Sequence, residues 1–214
     1  MSFLAMLIDF FSNINIIFYV IAYLVGGIPF GYLYTKVLGI DIREIGSGSI
    51  GATNVLRALK QTKPQIAKKI AIATMLSDAL KGAVVILAAK IFNISYETQW
   101  AIAIFAILGH CYSPFLKFEG GKGVATMMGC VMVFLPLEAI CGLIVWFIVG
   151  KVLKISSLAS LFGVLLGTTA SFILHPQIPY IDTHTPLVLM ALIVFYKHIP
   201  NIIRLIQRKE QKVI

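Results

Sequence analysis

Six apolar runs, near 13–38, 66–92, 98–116, 123–149, 155–174 and 186–206, dominate this chain. A helix of roughly 20 apolar residues crosses the hydrocarbon core of a bilayer, where every backbone polar group must be bonded within the segment. Runs of this length and number leave one fold class: an all-α, polytopic membrane protein. Composition agrees, because 59% of the 214 residues are hydrophobic, only 13% are charged and the mean hydropathy is +0.92. The length implies a single integral-membrane domain over 1–214. A net charge of +9 would suit nucleic acid if it were gathered on a soluble face. The basic residues are instead dispersed between apolar runs, where they report orientation, so the expected partner is the lipid bilayer and no nucleic acid. The first twelve residues hold Asp9 but no Lys or Arg, and no A-x-A-like site follows, so no cleavable signal peptide is expected. Cys111, Cys130 and Cys141 lie in apolar runs without metal-ligand spacing and read as small hydrophobes, so no metal is expected.

Six crossings produce a charge conflict. Alternate threading places Lys151 and Lys154 opposite the basic loop 57–69, and it puts the loop 175–185, free of Lys and Arg, on the basic side. Splitting 123–149 around Leu135-Pro136-Leu137-Glu138 removes the conflict, since Pro disfavours a helix interior and Glu disfavours lipid. Two short helices, about 123–134 and 138–150, then form a hairpin turning on the outer side. With about seven transmembrane helices, some short or re-entrant, every Lys and Arg except Lys81 and Lys90 falls at a cytoplasmic end or loop. The N-terminus is expected outside and the C-terminus inside.

Three polar clusters share that cytoplasmic side. The first is Gly46-Ser47-Gly48-Ser49-Ile50-Gly51-Ala52-Thr53-Asn54-Val55-Leu56-Arg57. Its G-x-G-x-x-G is not a dinucleotide fingerprint: the preceding DIREI carries three charges, and after Gly51 the next acid is Asp78. The glycines still expose backbone N–H groups that suit an anion at a helix start, and Arg57 adds a bidentate cation. The second is Gly120-Gly121-Lys122-Gly123, which is no Walker A loop because Leu116 and Gly123 stand where Gly and Ser/Thr are needed. Lys122 could simply snorkel at the interface, but snorkelling does not call for three glycines. The third is His198, Asn201 and Arg204, spaced three apart and so on one face if helical. Together they point to a site for a small anionic cytosolic substrate beside lipid.

These motifs resemble a known family, the membrane-integral acyl-phosphate:glycerol-3-phosphate acyltransferases of bacteria, the PlsY family. Its patterns G-S-G-N-x-G-A-T-N-x-x-R, G-G-K-G-V-A-T and H-x-x-N-I-x-R-L match 46–57, 120–126 and 198–205 in order, with Ser49 standing where the family has Asn. The segments 26–36 and 77–82 are also similar. The resemblance implies a seven-helix fold in the bacterial inner membrane with a cytoplasmic active site. It implies transfer of a fatty acyl group from acyl phosphate to glycerol 3-phosphate, giving lysophosphatidic acid without a cofactor. By motif position, Ser47, Arg57, Lys122 and His198 are expected to be catalytic. Gly48, Thr53, Asn54, Gly120, Gly121, Gly123, Asn201 and Arg204 join them as substrate-binding residues. Glycerol 3-phosphate is expected on Ser47, Arg57, Lys122, His198 and Asn201, with the glycine loops cradling the acyl-phosphate head.

An acyl phosphate is already activated, so the protein has to position two anions and stabilise an oxyanion. The proton acceptor is either His198 or the acyl phosphate itself. No carboxylate lies near His198 in sequence to orient it, which favours the latter. His-x-x-x-x-Asp and H-E-x-x-H are absent, excluding those acyltransferase and zinc-hydrolase mechanisms. The alternative is a transporter or exchanger of small phosphate esters, for which Asp78 and Lys81, three apart within a span, would line a path. Against it, the same two residues could be an internal ion pair, and repeated halves are absent. Acyl-chain preference and oligomeric state, a monomer included, stay open.

Overall fold

Proline and glycine set the breaks between helices in the computed structural model, which describes residues 13–212. Helix α1 (Ile14–Gly27) ends before Pro29, and α2 (Phe30–Val37) continues its direction, so that Ile14–Val37 forms one span-length unit. The Gly-rich loop leads into α3 (Ala52–Thr62), whose polar and apolar faces separate and whose Val55, Ala58 and Leu59 are buried. Pro64 opens α4 (Pro64–Ile91), the longest helix described, and Ser95 caps the N-terminus of α5 (Tyr96–Cys111).

Leu135-Pro136 breaks the run 123–149 where Pro136 cannot extend the preceding helix, giving α6 (Val124–Phe134) and α7 (Pro136–Leu153). The break falls where expected, but α7 differs from the short helix expected over 138–150. It starts two residues earlier and runs 18 residues, long enough to count as a span by itself. The chain goes on through α8 (Ser156–Leu174), α9 (Thr185–Lys197) and α10 (Ile199–Ile206). The last expected span is bent by 55° at His198, because Pro200 sits in the first turn of α10 and cannot join the α9 ladder. Five helical units are long and apolar enough to cross a membrane; the bent pair makes a sixth and the short α6 brings the total to about seven. The protein is an all-α, polytopic membrane protein, and no strand occurs among the described residues. The reading of the first twelve residues concerns residues outside those described.

Side chains such as Val84, Ile91, Phe147 and Ile173 are exposed on the helix surfaces, as they would be against lipid. Helix contacts rely on small residues, because lipid offers no hydrophobic drive between spans and close backbone approach must supply the packing. A Cβ on Gly109 would run into Tyr23 O of α1, and one on Gly142 of α7 would stand 2.8 Å from Gly163 O of α8. Cys111 and Cys130 are buried and Cys141 partly so, all as free thiols. Asp78 and Lys81 are both buried in α4 and form an ion pair of 3.0 Å, and Lys81 Nζ also donates to Ile28 O at 3.0 Å. Their charges are spent on each other and on the α1–α2 break.

Candidate active site

One cavity of about 330 Å³ touches all three motifs. Its polar end is lined by Ser47, Thr53, Asn54, Arg57, Lys122, Gly123, His198 and Asn201. Four of the expected substrate-binding residues, Gly48, Gly120, Gly121 and Arg204, are not among the residues that line it.

The loop before α3 is built around Asn54, which is buried. Its amide nitrogen faces the carbonyls of Ile42, Ile45 and Ser49 at 3.2, 2.9 and 2.9 Å, and its oxygen accepts from Ser47 N at 3.0 Å. Both N–H donors are thereby engaged, so Asn54 shapes the loop and offers no free donor to a ligand. Gly46 and Gly48 adopt φ of +62° and +67° within this loop, a backbone open to glycine at little cost. The Thr53 and Ser156 hydroxyls share a bond of 2.8 Å, tying the start of α3 to the start of α8. One turn on, Arg57 Nη2 donates to Gln211 O at 3.0 Å, while its buried Nε has no partner among the described residues. Burial pushes the guanidinium below its usual range.

Gly120 and Gly121 serve the second motif differently from the expected cradle. Gly121 N donates to His110 O at 3.0 Å, and a Cβ on either glycine would collide with His110. They let the loop lie directly on α5, and so set Lys122 at the cavity. Burial, opposed by the Glu210 charge and reinforced by Arg204, Arg57 and Lys197, pushes the Lys122 ammonium down to about 8.

In the third motif, His198 is buried at the α9–α10 bend, and its Nδ1 lies 2.7 Å from Val194 O. A carbonyl can only accept, so Nδ1 carries the proton and the neutral ring presents Nε2 as an acceptor. Asn201 and Arg204 do share a face, and what they share is a carboxylate: Asn201 Nδ2 and Arg204 Nε donate to Glu210 at 2.6 and 2.7 Å. Ser157 of α8 donates to the same group at 2.7 Å. Burial pushes the Glu210 carboxyl up, but these three bonds outweigh it and hold the group below the usual carboxylate range. Sequence reading misses Glu210 because it sits inside the basic stretch Arg208-Lys209-Glu210-Gln211-Lys212, which reads as a solvated tail. It also misses Ser157, which carries no motif.

Beyond Lys122 the cavity continues as an apolar cleft along α6, α7 and α8, lined by Met128, Val131, Leu143, Trp146 and Val164. A polar, cation-lined mouth therefore opens into a slot suited to an alkyl chain. The arrangement can hold a phosphate ester at one end and a fatty chain at the other.

Known proteins with these features agree. The family model described as Glycerol-3-phosphate acyltransferase matches residues 16–208. The glycerol-3-phosphate acyltransferase of Wolinella succinogenes is 60% identical over 207 residues, covering 96% of this chain and 100% of that one. Its namesake in Helicobacter hepaticus is 56% identical, with 100% of both chains covered. Among solved structures, PlsY (YgiH), an integral membrane glycerol 3-phosphate acyltransferase, superposes in its glycerol 3-phosphate form with a TM-score of 0.83 and 32% identity, over 94% of this chain and 96% of that one. Its lysophosphatidic acid form gives 0.81 and 31%, over 94% and 95%. By its motifs, its fold and these relatives, the chain belongs to the integral-membrane glycerol-3-phosphate acyltransferase family.

Proposed function

We propose that this acyltransferase uses acyl phosphate as donor and glycerol 3-phosphate as acceptor, releasing lysophosphatidic acid and phosphate in the first acylation of phospholipid synthesis. The observation that carries the reading is the continuity of one cavity from Arg57, Lys122, His198 and Asn201 into an apolar cleft. The polar end suits two phosphate groups and the cleft suits the acyl chain. The site works at the cytoplasmic face of the bacterial inner membrane, where its basic loops lie, and the chain acts as a single domain.

The chemistry needs little from the protein beyond placement and charge. The glycerol hydroxyl oxygen attacks the acyl carbonyl carbon, and the bond from that carbon to the phosphate oxygen breaks. Phosphate leaves with the electron pair, and the hydroxyl proton passes to a phosphate oxygen. Arg57 and Lys122 hold anionic oxygens and offset the repulsion between two phosphates, while Ser47 and Thr53 offer hydroxyl donors. His198, oriented by Val194 O, accepts a hydrogen bond from the glycerol and positions it. No metal, nucleotide or other cofactor enters any step.

The test is direct. Purified protein, palmitoyl phosphate and labelled glycerol 3-phosphate, with EDTA present, should yield labelled lysophosphatidic acid. A requirement for acyl-CoA, or loss of activity on chelation, would refute the donor assignment. In sealed vesicles a transporter would move the label unchanged.

A further inference from the structure

The far end of the apolar cleft is closed by a carboxylate that the reaction does not use. Glu138 lies on the first turn of α7 and is 1% exposed, yet it lines the same cavity as Lys122. His175 Nε2, just past the end of α8, stands 3.1 Å from Glu138 Oε1 but outside hydrogen-bond geometry. Both carboxylate oxygens are thus buried without an aligned donor among the described residues. A fully buried acid in a slot lined mainly by apolar side chains, with the Thr168 hydroxyl as a further polar group, is costly and calls for a reason.

Position supplies one. The cleft follows α6, whose 11 residues separate the Lys122 loop from the α7 start. At 1.5 Å per residue that is about 16 Å, of the order of the length of an extended fatty acyl chain. A chain with its carbonyl at Lys122 therefore reaches the Glu138–His175 pair with its methyl end.

We infer that Glu138 and His175 form a polar stop that sets the acyl-chain length the enzyme prefers. Methylenes up to the pair leave one apolar environment for another. Those beyond it must strip the remaining water from the pair and gain nothing from burial. This makes the two residues specificity-determining, and the inference rests on the acyl-transfer reading above.

The test is a chain-length series, from dodecanoyl to eicosanoyl phosphate, read as kcat/KM. In Glu138→Leu/His175→Leu, which removes both partners and leaves no lone ion, the penalty on methylenes beyond the pair is gone, so kcat/KM for eicosanoyl phosphate should rise to match that for palmitoyl phosphate. The KM for glycerol 3-phosphate should not move. Leu143→Trp, five residues along α7 towards the mouth, should shift preference to shorter chains. A parallel loss at every length, or a profile unmoved in both variants, would overturn the inference. If the double variant aggregates on size exclusion, Leu143→Trp decides alone. Absence of transfer from any acyl phosphate by the unmodified enzyme would count against the donor reading, and the same series run as acyl-CoA would then decide the stop.

Discussion

Raising the pH should switch off substrate capture at Lys122 while it strengthens the fold, a pairing of opposite signs. Burial brings this ammonium to about 8, from an ordinary lysine value of 10.5. Above pH 8 the neutral amine cannot pair with phosphate, so kcat/KM for glycerol 3-phosphate should fall about tenfold per pH unit. The limb in kcat should lie higher, because a bound dianion favours the charged lysine. Stability moves the other way. The unfolded chain keeps its proton up to about 10.4 and the folded one loses it near 8, so unfolding takes up a proton between these values. In that window the ligand-free fold gains stability as pH rises, by about 3 kcal/mol at most, since holding off one proton is worth ~1.36 kcal/mol for each pH unit of the window. The assay is initial rates from pH 6.5 to 9.5 beside thermal unfolding in detergent. Lys122→Arg, wherever it retains activity, should push the kinetic limb beyond the accessible range. A limb at the same pH in that variant, or kcat/KM flat through pH 9, would refute the reasoning.

Arg57→Ala removes a charge-assisted contact of about 1.5–3 kcal/mol, so kcat/KM should drop at least tenfold, and Arg57→Lys should not rescue it because a point charge cannot replace a planar fork. In His198→Gln, KM for glycerol 3-phosphate should rise with kcat nearly kept; an unchanged KM with kcat down by about three decades and no acidic limb would make His198 the base instead. Glu210→Gln should raise KM and lower the unfolding temperature together, since a charge-assisted bond to Arg204 is worth about 1.5–3 kcal/mol; a variant with both values unchanged would show that the carboxylate does not hold the site.

The spans are legible in the sequence because lipid imposes a simple rule on long stretches, and Pro136 marks a break by covalent geometry. The bend at His198 is not legible, although Pro200 is in view, because hydropathy is blind to direction. Within the site, Arg57, Lys122, His198 and Asn201 stand out as polar groups out of place among apolar runs. The motif assigns Asn54 to the ligand, but its amide is committed to three backbone carbonyls, a commitment that only the folded loop reveals. Glu210 escapes for the converse reason. It looks ordinary among lysines, and it matters only because the chain returns from α10 to bring it between Ser157 and Arg204.

The cavity meets two solvents, with Arg57 and Lys122 at its watery mouth and Leu143, 41% exposed, on its lipid flank. Under the proposed reaction the two products therefore have separate exits. Inorganic phosphate leaves by water, and the amphiphile slides sideways with its tail never wetted. The donor arrives by the same lateral route, so the enzyme senses its mole fraction in the bilayer and not its molarity. Adding inert lipid or detergent should dilute the donor in two dimensions and slow turnover at fixed total concentration, while the glycerol 3-phosphate dependence keeps its bulk scale.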